Sequence, residues 1–143
     1  MSALVLLLSL PLGGAFAAVA LPGRAARAAA LAAVAGTAVA AAVLAAQVAG
    51  GAVPRIALGG WAPPLGIALA TDGLAAALIV TTALVMGAVA LVARQSMAPD
   101  RAGARTAFGF WPLMLTLWAA LNAVFASRDL FNLYVGIELL SLA

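Results

Sequence analysis

The sequence contains no cysteine, no histidine and no lysine. Without Cys and His, a thiolate or imidazole metal centre, a cysteine nucleophile, a Ser-His-Asp triad and a disulfide framework are all excluded within this chain. Acidic side chains are few: Asp72, Asp100, Asp129 and Glu138. All seven basic residues are arginine, which keeps its proton at any ordinary pH. Any proton chemistry therefore falls on the four carboxylates. Charged residues make up only 8% of the chain against 67% hydrophobic, and the mean hydropathy is +1.22; soluble domains run to about 25% charged and about 45–50% apolar. The sequence pI of about 11.2 accompanies a formal net charge of only +3. The arginines stand singly between apolar blocks, so the basicity reads as membrane topology and excludes a nucleic-acid face.

What is present is a series of apolar blocks separated by short polar breaks. A hydrocarbon core needs about 20 apolar residues to be crossed by a helix. The blocks predict an all-α, polytopic transmembrane bundle forming a single domain over residues 1–143, with helices at about 3–21, 28–49, 71–92 and 108–126 and the start of a fifth at 130–143. Pro11 and Gly13-Gly14 are expected to bend the first helix. A cleavable leader ending near Ala15-Phe16-Ala17 is the alternative for that block, but no positive segment precedes it. The second block is almost wholly Ala, Val and Leu, with Gly36 and Ala40 at the small-xxx-small spacing that lets helix backbones approach closely.

The stretch from Gly50 to Ala70 holds Pro54, Arg55, Gly59-Gly60, Trp61 and Pro63-Pro64 and reads as an interfacial loop. Asp72 then sits where a carboxylate caps the next helix. In the fourth block Trp111, Trp118, Asn122 and Phe125 recur at helical spacing and read as a packing stripe. Ser127, Arg128 and Asp129 form a very short connection, with Asp129 capping the fifth helix. The fourteen residues that follow are too few to span, so a truncated segment is expected, or a half-helix completed by another chain.

Arginine bias sets the expected orientation. The first and third connections carry Arg24, Arg27, Arg94, Arg101 and Arg105, while the second and fourth carry Arg55 and Arg128. That asymmetry places the first and third in the cytoplasm and the N-terminus outside, in a cell (plasma or inner) membrane.

Glu138 lies nine residues beyond Asp129, about 13.5 Å along a helix and near the middle of a hydrocarbon core about 30 Å thick. A carboxylate there costs roughly 2.5–3.5 kcal/mol, so it is expected to be protonated, paired or in a wet cavity, and such residues mark ion or proton paths. Tyr134 and Ser141, at i−4 and i+3, share its helical face, while Asn132 and Gly136 line an adjacent one. The expected site is thus Glu138 as intramembrane proton carrier, with Tyr134, Ser141, Asn132 and Asp129 in support. A structural acid hydrogen-bonded to a neighbouring helix is the alternative for Glu138. No metal and no cofactor are expected.

The run from Asn122 to Leu142, NAVFASRDLFNLYVGIELLSL, resembles the fourth and fifth helices of the antiporter-like membrane subunits. These are shared by Mrp-type Na+/H+ antiporters, respiratory complex I and membrane-bound hydrogenases. The DLFNLYV part looks most like the D-type Mrp protein, and Glu138-Leu-Leu-Ser-Leu is also similar to the N-type protein of complex I. A weaker likeness runs from Gly66 through Asp72 to Leu78, so the resemblance covers roughly residues 60–143. It implies that Glu138 matches the family's fifth-helix glutamate, which pairs with a lysine on a later helix. This sequence has no such lysine, nor the later discontinuous helices, so this piece alone is not expected to transport.

The implied function is proton or monovalent cation translocation as one subunit of a multisubunit cation/proton antiporter. Its expected partners are other membrane subunits, the lipid bilayer, protons and, as an open alternative, sodium; nucleic acid is not among them. A proton-pumping membrane subunit of an NADH-quinone oxidoreductase or hydrogenase is the second reading, and a non-transporting membrane anchor the third. An intramembrane hydrolase lacks any credible base near a serine.

Overall fold

A computed structural model describes residues 2–58, 60, 66–97 and 104–142. Trp61, Pro63, Pro64 and Arg101, each placed in a connection above, and the carboxylate Asp100 lie outside the described residues. Among the described residues five helices are present: α1 (Ala3–Ala20), α2 (Gly23–Ala49), α3 (Gly73–Ser96), α4 (Ala104–Ala126) and α5 (Leu130–Leu142). Two short strands, β1 (Arg55–Leu58) and β2 (Ile67–Ala70), lie between α2 and α3. Four helices are long and apolar enough to cross a membrane: α1, α2, α3 and the Phe108–Ala126 part of α4. The chain is a multi-pass membrane protein built as a helical bundle.

The helices extend past the apolar blocks. α2 begins at Gly23 rather than near residue 28, α3 runs on to Ser96, and α4 starts at Ala104. Arg, Ala and Gln are all strong helix formers, so the hydrogen-bonded spiral continues beyond the point where apolarity stops. Hydropathy locates the membrane-embedded part of each helix, and propensity sets its ends.

α1 packs between α2 and α4, α3 closes the group by touching α2 and α4, and α5 rests chiefly on α4. α1 and α2 come together at Gly14, where an added Cβ would collide with the Cβ of Ala33. Farther along α2, Gly36 faces Leu10 and Ala40 is buried, as the small-residue spacing predicted. The core is made of Leu4, Leu7, Leu44, Ile79, Leu115 and Trp118 packed against many alanines. The Trp111, Trp118 and Asn122 stripe of α4 faces inward, so it serves packing, as expected.

One polar contact in this interior has a covalent cause. Pro11 has no N–H, so the carbonyl four residues earlier, that of Leu7, has no helical donor. The Asn122 Nδ2 group reaches across from α4 and donates to that carbonyl at 3.0 Å, in a fully buried position. The bond ties α1 to α4 at the place where the helical ladder is interrupted, as transmembrane helices containing proline require.

The Gly50–Ala70 stretch differs from the predicted loop. β1 and β2 pair antiparallel, with Arg55 opposite Ala70 and Leu58 opposite Ile67. Each strand is only four residues long, β2 is wholly apolar and β1 carries one charge, Arg55, so neither is long or alternating enough to mark a strand in the sequence. The hairpin is pinned on both flanks: Thr71 N donates to Pro54 O at 3.0 Å, Arg128 N donates to Ala68 O at 3.2 Å, and Leu69 bridges to Ser127. It therefore gathers the end of α2, the start of α3, the end of α4 and the start of α5 at one end of the bundle.

Candidate functional site

The turn that launches α5 is fixed by side chains on both sides of the Ala126–Leu130 connection. Asp129 Oδ1 accepts from Asn132 N at 2.7 Å and so caps the first turn of α5, the role its position predicted. Ser127 Oγ donates to Asp129 O at 2.9 Å and accepts from Asn132 Nδ2 at 3.3 Å. Asp72 caps α3 through Ala75 N at 2.9 Å. The Arg128 guanidinium meets Asp72 Oδ2 at 3.2 Å and forms the single ion pair among the described residues. The capping N–H of Ala75 holds the Asp72 carboxyl below the usual carboxylate range against the desolvation that opposes it, with the nearby Arg128 charge adding to the lowering. Two helix starts, α3 and α5, are thereby joined through Arg128.

α5 then runs without a break from Leu130 to Leu142, placing Glu138 about 13.5 Å beyond Asp129. The helix settles on α4 with its Asn132 and Gly136 side, both buried. At Gly136 a Cβ would lie 2.9 Å from Val124 Cγ2, so glycine permits the close approach.

The opposite side of α5 carries Glu138. Its carboxylate accepts a hydrogen bond from the Tyr134 hydroxyl, one helical turn back. Glu138, Tyr134 and Ser141 are all exposed among the described residues. α5 rests chiefly on α4, and the stripe it buries there is occupied by the small Asn132 and Gly136. Of the four supporting residues expected, Tyr134 alone meets the carboxylate. Ser141 shares the face, but its hydroxyl donates to the backbone carbonyl of Glu138 at 2.8 Å. Asn132 and Asp129 belong to the capping turn. Arg128 and Asp72 complete that turn, and the signal for their pairing was present as an Arg beside an acid cap, without any sign of which acid it would reach.

The neighbours of Glu138 on the open face are apolar: Phe131, Val135, Ile137 and Leu142 are all exposed. A carboxylate with a phenol donor on an otherwise apolar helix face can hold or release one proton. A separate apolar cleft of about 420 Å³ lies between α3 and α4 at the end of the bundle away from the hairpin, lined by Ala88, Val92, Ala93, Met97 and Phe110 among others. Its lining hydroxyl, that of Ser96, is already engaged with Val92 O, and no residue of α5 lines it.

No family model matches the chain. Among curated proteins, it is 36% identical over 91 residues to the D-type subunit of the Na(+)/H(+) antiporter of Bacillus subtilis, covering 64% of this chain and 18% of that protein. It is 42% identical over 93 residues to the N-type subunit of the NADH-quinone oxidoreductase of Desulforudis audaxviator, covering 62% of this chain and 17% of that protein. Among solved structures, it superposes on a chain of an archaeal respiratory complex, the membrane-bound sulfane sulfur reductase, with a TM-score of 0.86 and 26% identity over 99% of its length. A chain of the Mrp complex from Dietzia sp. gives a TM-score of 0.80 and 28% identity, again over 99%. The chain spans less than a fifth of the length of these curated relatives and 29% and 26% of the two structural neighbours.

Proposed function

Starting from the homology of this chain to the antiporter-like membrane subunits, we propose that it belongs to a subunit of a multisubunit assembly translocating protons and monovalent cations, with Glu138 as the proton carrier. The observation that carries this reading is the outward Tyr134–Glu138 pair on α5. At that depth a carboxylate facing lipid costs roughly 2.5–3.5 kcal/mol, so this face meets protein or a water-filled cavity. A counter-charge or water column that approaches and recedes then loads and unloads the proton, since its proximity favours the ionised form and its withdrawal the neutral one. The arginine asymmetry of the connections supports an N-terminus outside the cell and a plasma or inner membrane.

A second reading, a proton-pumping membrane subunit of a respiratory oxidoreductase, is favoured by the likeness to the N-type NADH-quinone oxidoreductase protein and to the sulfane sulfur reductase chain. The subunits that co-purify with the protein distinguish the two, because only the second brings redox-active partners. The test common to both is Glu138→Gln in the full protein, reconstituted or in everted vesicles, with proton movement followed by a pH-sensitive dye. Loss of translocation with normal assembly is expected. A variant that assembles and translocates as the parent does would leave only a membrane anchor.

A further inference from the structure

Trp118 and Asn122 stand one turn apart on the inward face of α4. Elements of this chain alone enclose them: Trp118 is 0% and Asn122 1% exposed. The Asn122 amide has a fixed orientation, because the Leu7 carbonyl that Pro11 leaves without a helical donor must be met by its Nδ2 group. The Oδ1 atom therefore points elsewhere as an acceptor, and it has no hydrogen-bonding partner among the described residues. Trp118 Nε1, a donor only, likewise has none among them. Two complementary orphans thus belong to residues one turn apart in an apolar interior, where each carries its full desolvation penalty.

We propose that one water molecule is bound inside the bundle between them, accepting from the Trp118 indole N–H and donating to Asn122 Oδ1. Residues at i and i+4 lie on one helix face with Cβ atoms about 5–6 Å apart, so the two side chains are placed to share one small partner through hydrogen bonds of ordinary length. Water is the smallest species that accepts and donates at once, and buried waters satisfy groups of this kind with about two to four bonds each. The enclosure excludes larger candidates: no helix of a partner subunit reaches side chains that this chain already covers. The site belongs to the α1–α4 interface and is independent of the Glu138 face, so it stands or falls separately from the proposed function.

The indole N–H reports its own hydrogen bonding through its ultraviolet resonance Raman frequency. The full protein in its native assembly has three tryptophans in this part of the chain, and subtracting the spectrum of Trp118→Phe isolates one. A hydrogen-bonded frequency for Trp118 that moves to the free value in Asn122→Leu is expected. A free frequency in the parent overturns the proposal, and so does a bonded frequency that survives Asn122→Leu. If that variant fails to assemble, a cryo-electron microscopy map of the parent decides. Density within hydrogen-bonding distance of both atoms supports the water, whereas direct contact of Nε1 with Oδ1 refutes it.

Discussion

α4 and α5 are neighbouring helices that carry their polar groups to opposite destinations. On α4, Asn122 and Trp118 turn inward, and Asn122 bonds a carbonyl of α1. On α5, the small Asn132 and Gly136 turn inward while Tyr134 and Glu138 are exposed on the side away from α4. The first arrangement repairs a backbone defect and builds the bundle. The second contributes nothing to the bundle's packing and leaves an ionisable group on show. A polar residue in a membrane helix thus serves architecture or chemistry according to whether its own chain satisfies it.

Four substitutions test that division. The largest effect on assembly is expected from Gly14→Leu, because the added side chain must displace Ala33 and push α1 off α2; overpacking of this kind costs about 1–3 kcal/mol or more, read as loss of the folded protein in a detergent thermal-stability assay. Asn122→Leu should destabilise by about 1–3 kcal/mol, since it strands the Leu7 carbonyl. Its sharper form is a double-mutant cycle with Pro11→Ala, which restores the missing N–H to the helical ladder: the cost of Asn122→Leu should shrink in that background, and equal costs in both would remove the link drawn between Pro11 and Asn122. Tyr134→Phe should leave thermal stability unchanged while lowering the translocation rate, measured in the same vesicles as Glu138→Gln. A stability loss there would assign Tyr134 to the architecture after all.

The smallest effect belongs to the exposed Arg128–Asp72 pair, whose side chains are about half accessible. Arg128→Gln should cost less than about 1 kcal/mol, and Asp72→Ala should lower thermal stability slightly more, through loss of the α3 cap. Because the Asp72 carboxyl is held below its ordinary range, its contribution is complete above that range and disappears only as pH falls through the lowered value. The difference in thermal stability between the parent and Asp72→Asn should accordingly be constant from neutral pH down to the ordinary aspartate range and close only below it.

Much of this architecture is legible in the sequence, for reasons that also set the limits. Long apolar blocks dictate membrane-spanning helices, and Asp72 and Asp129 announce caps because short acids accept first-turn N–H bonds. Helical spacing alone brings Tyr134 to Glu138. What spacing cannot supply is which side of α5 rests on α4, since that depends on where α4 lies; it is the Asn132 and Gly136 side, with Glu138 on the other. The hairpin is hidden because strands of four residues are too short to show alternation. The Asn122–Leu7 bond has a readable half: Pro11 marks an orphaned carbonyl at Leu7, but only the packing of α1 on α4 identifies the amide that answers it.

The knot of contacts around the hairpin also has a mechanical meaning. Arg128 is fastened to Ala68 and Asp72, and Asp129 closes the first turn of α5, so the helix is clamped at its root and lies along a single neighbour beyond it. Such a helix is a lever with its fulcrum at residue 129. With Glu138 about 13.5 Å from that fulcrum, a tilt of about 5° swings the carboxylate by about 1 Å, enough to make or break a hydrogen bond without disturbing the hairpin that anchors it.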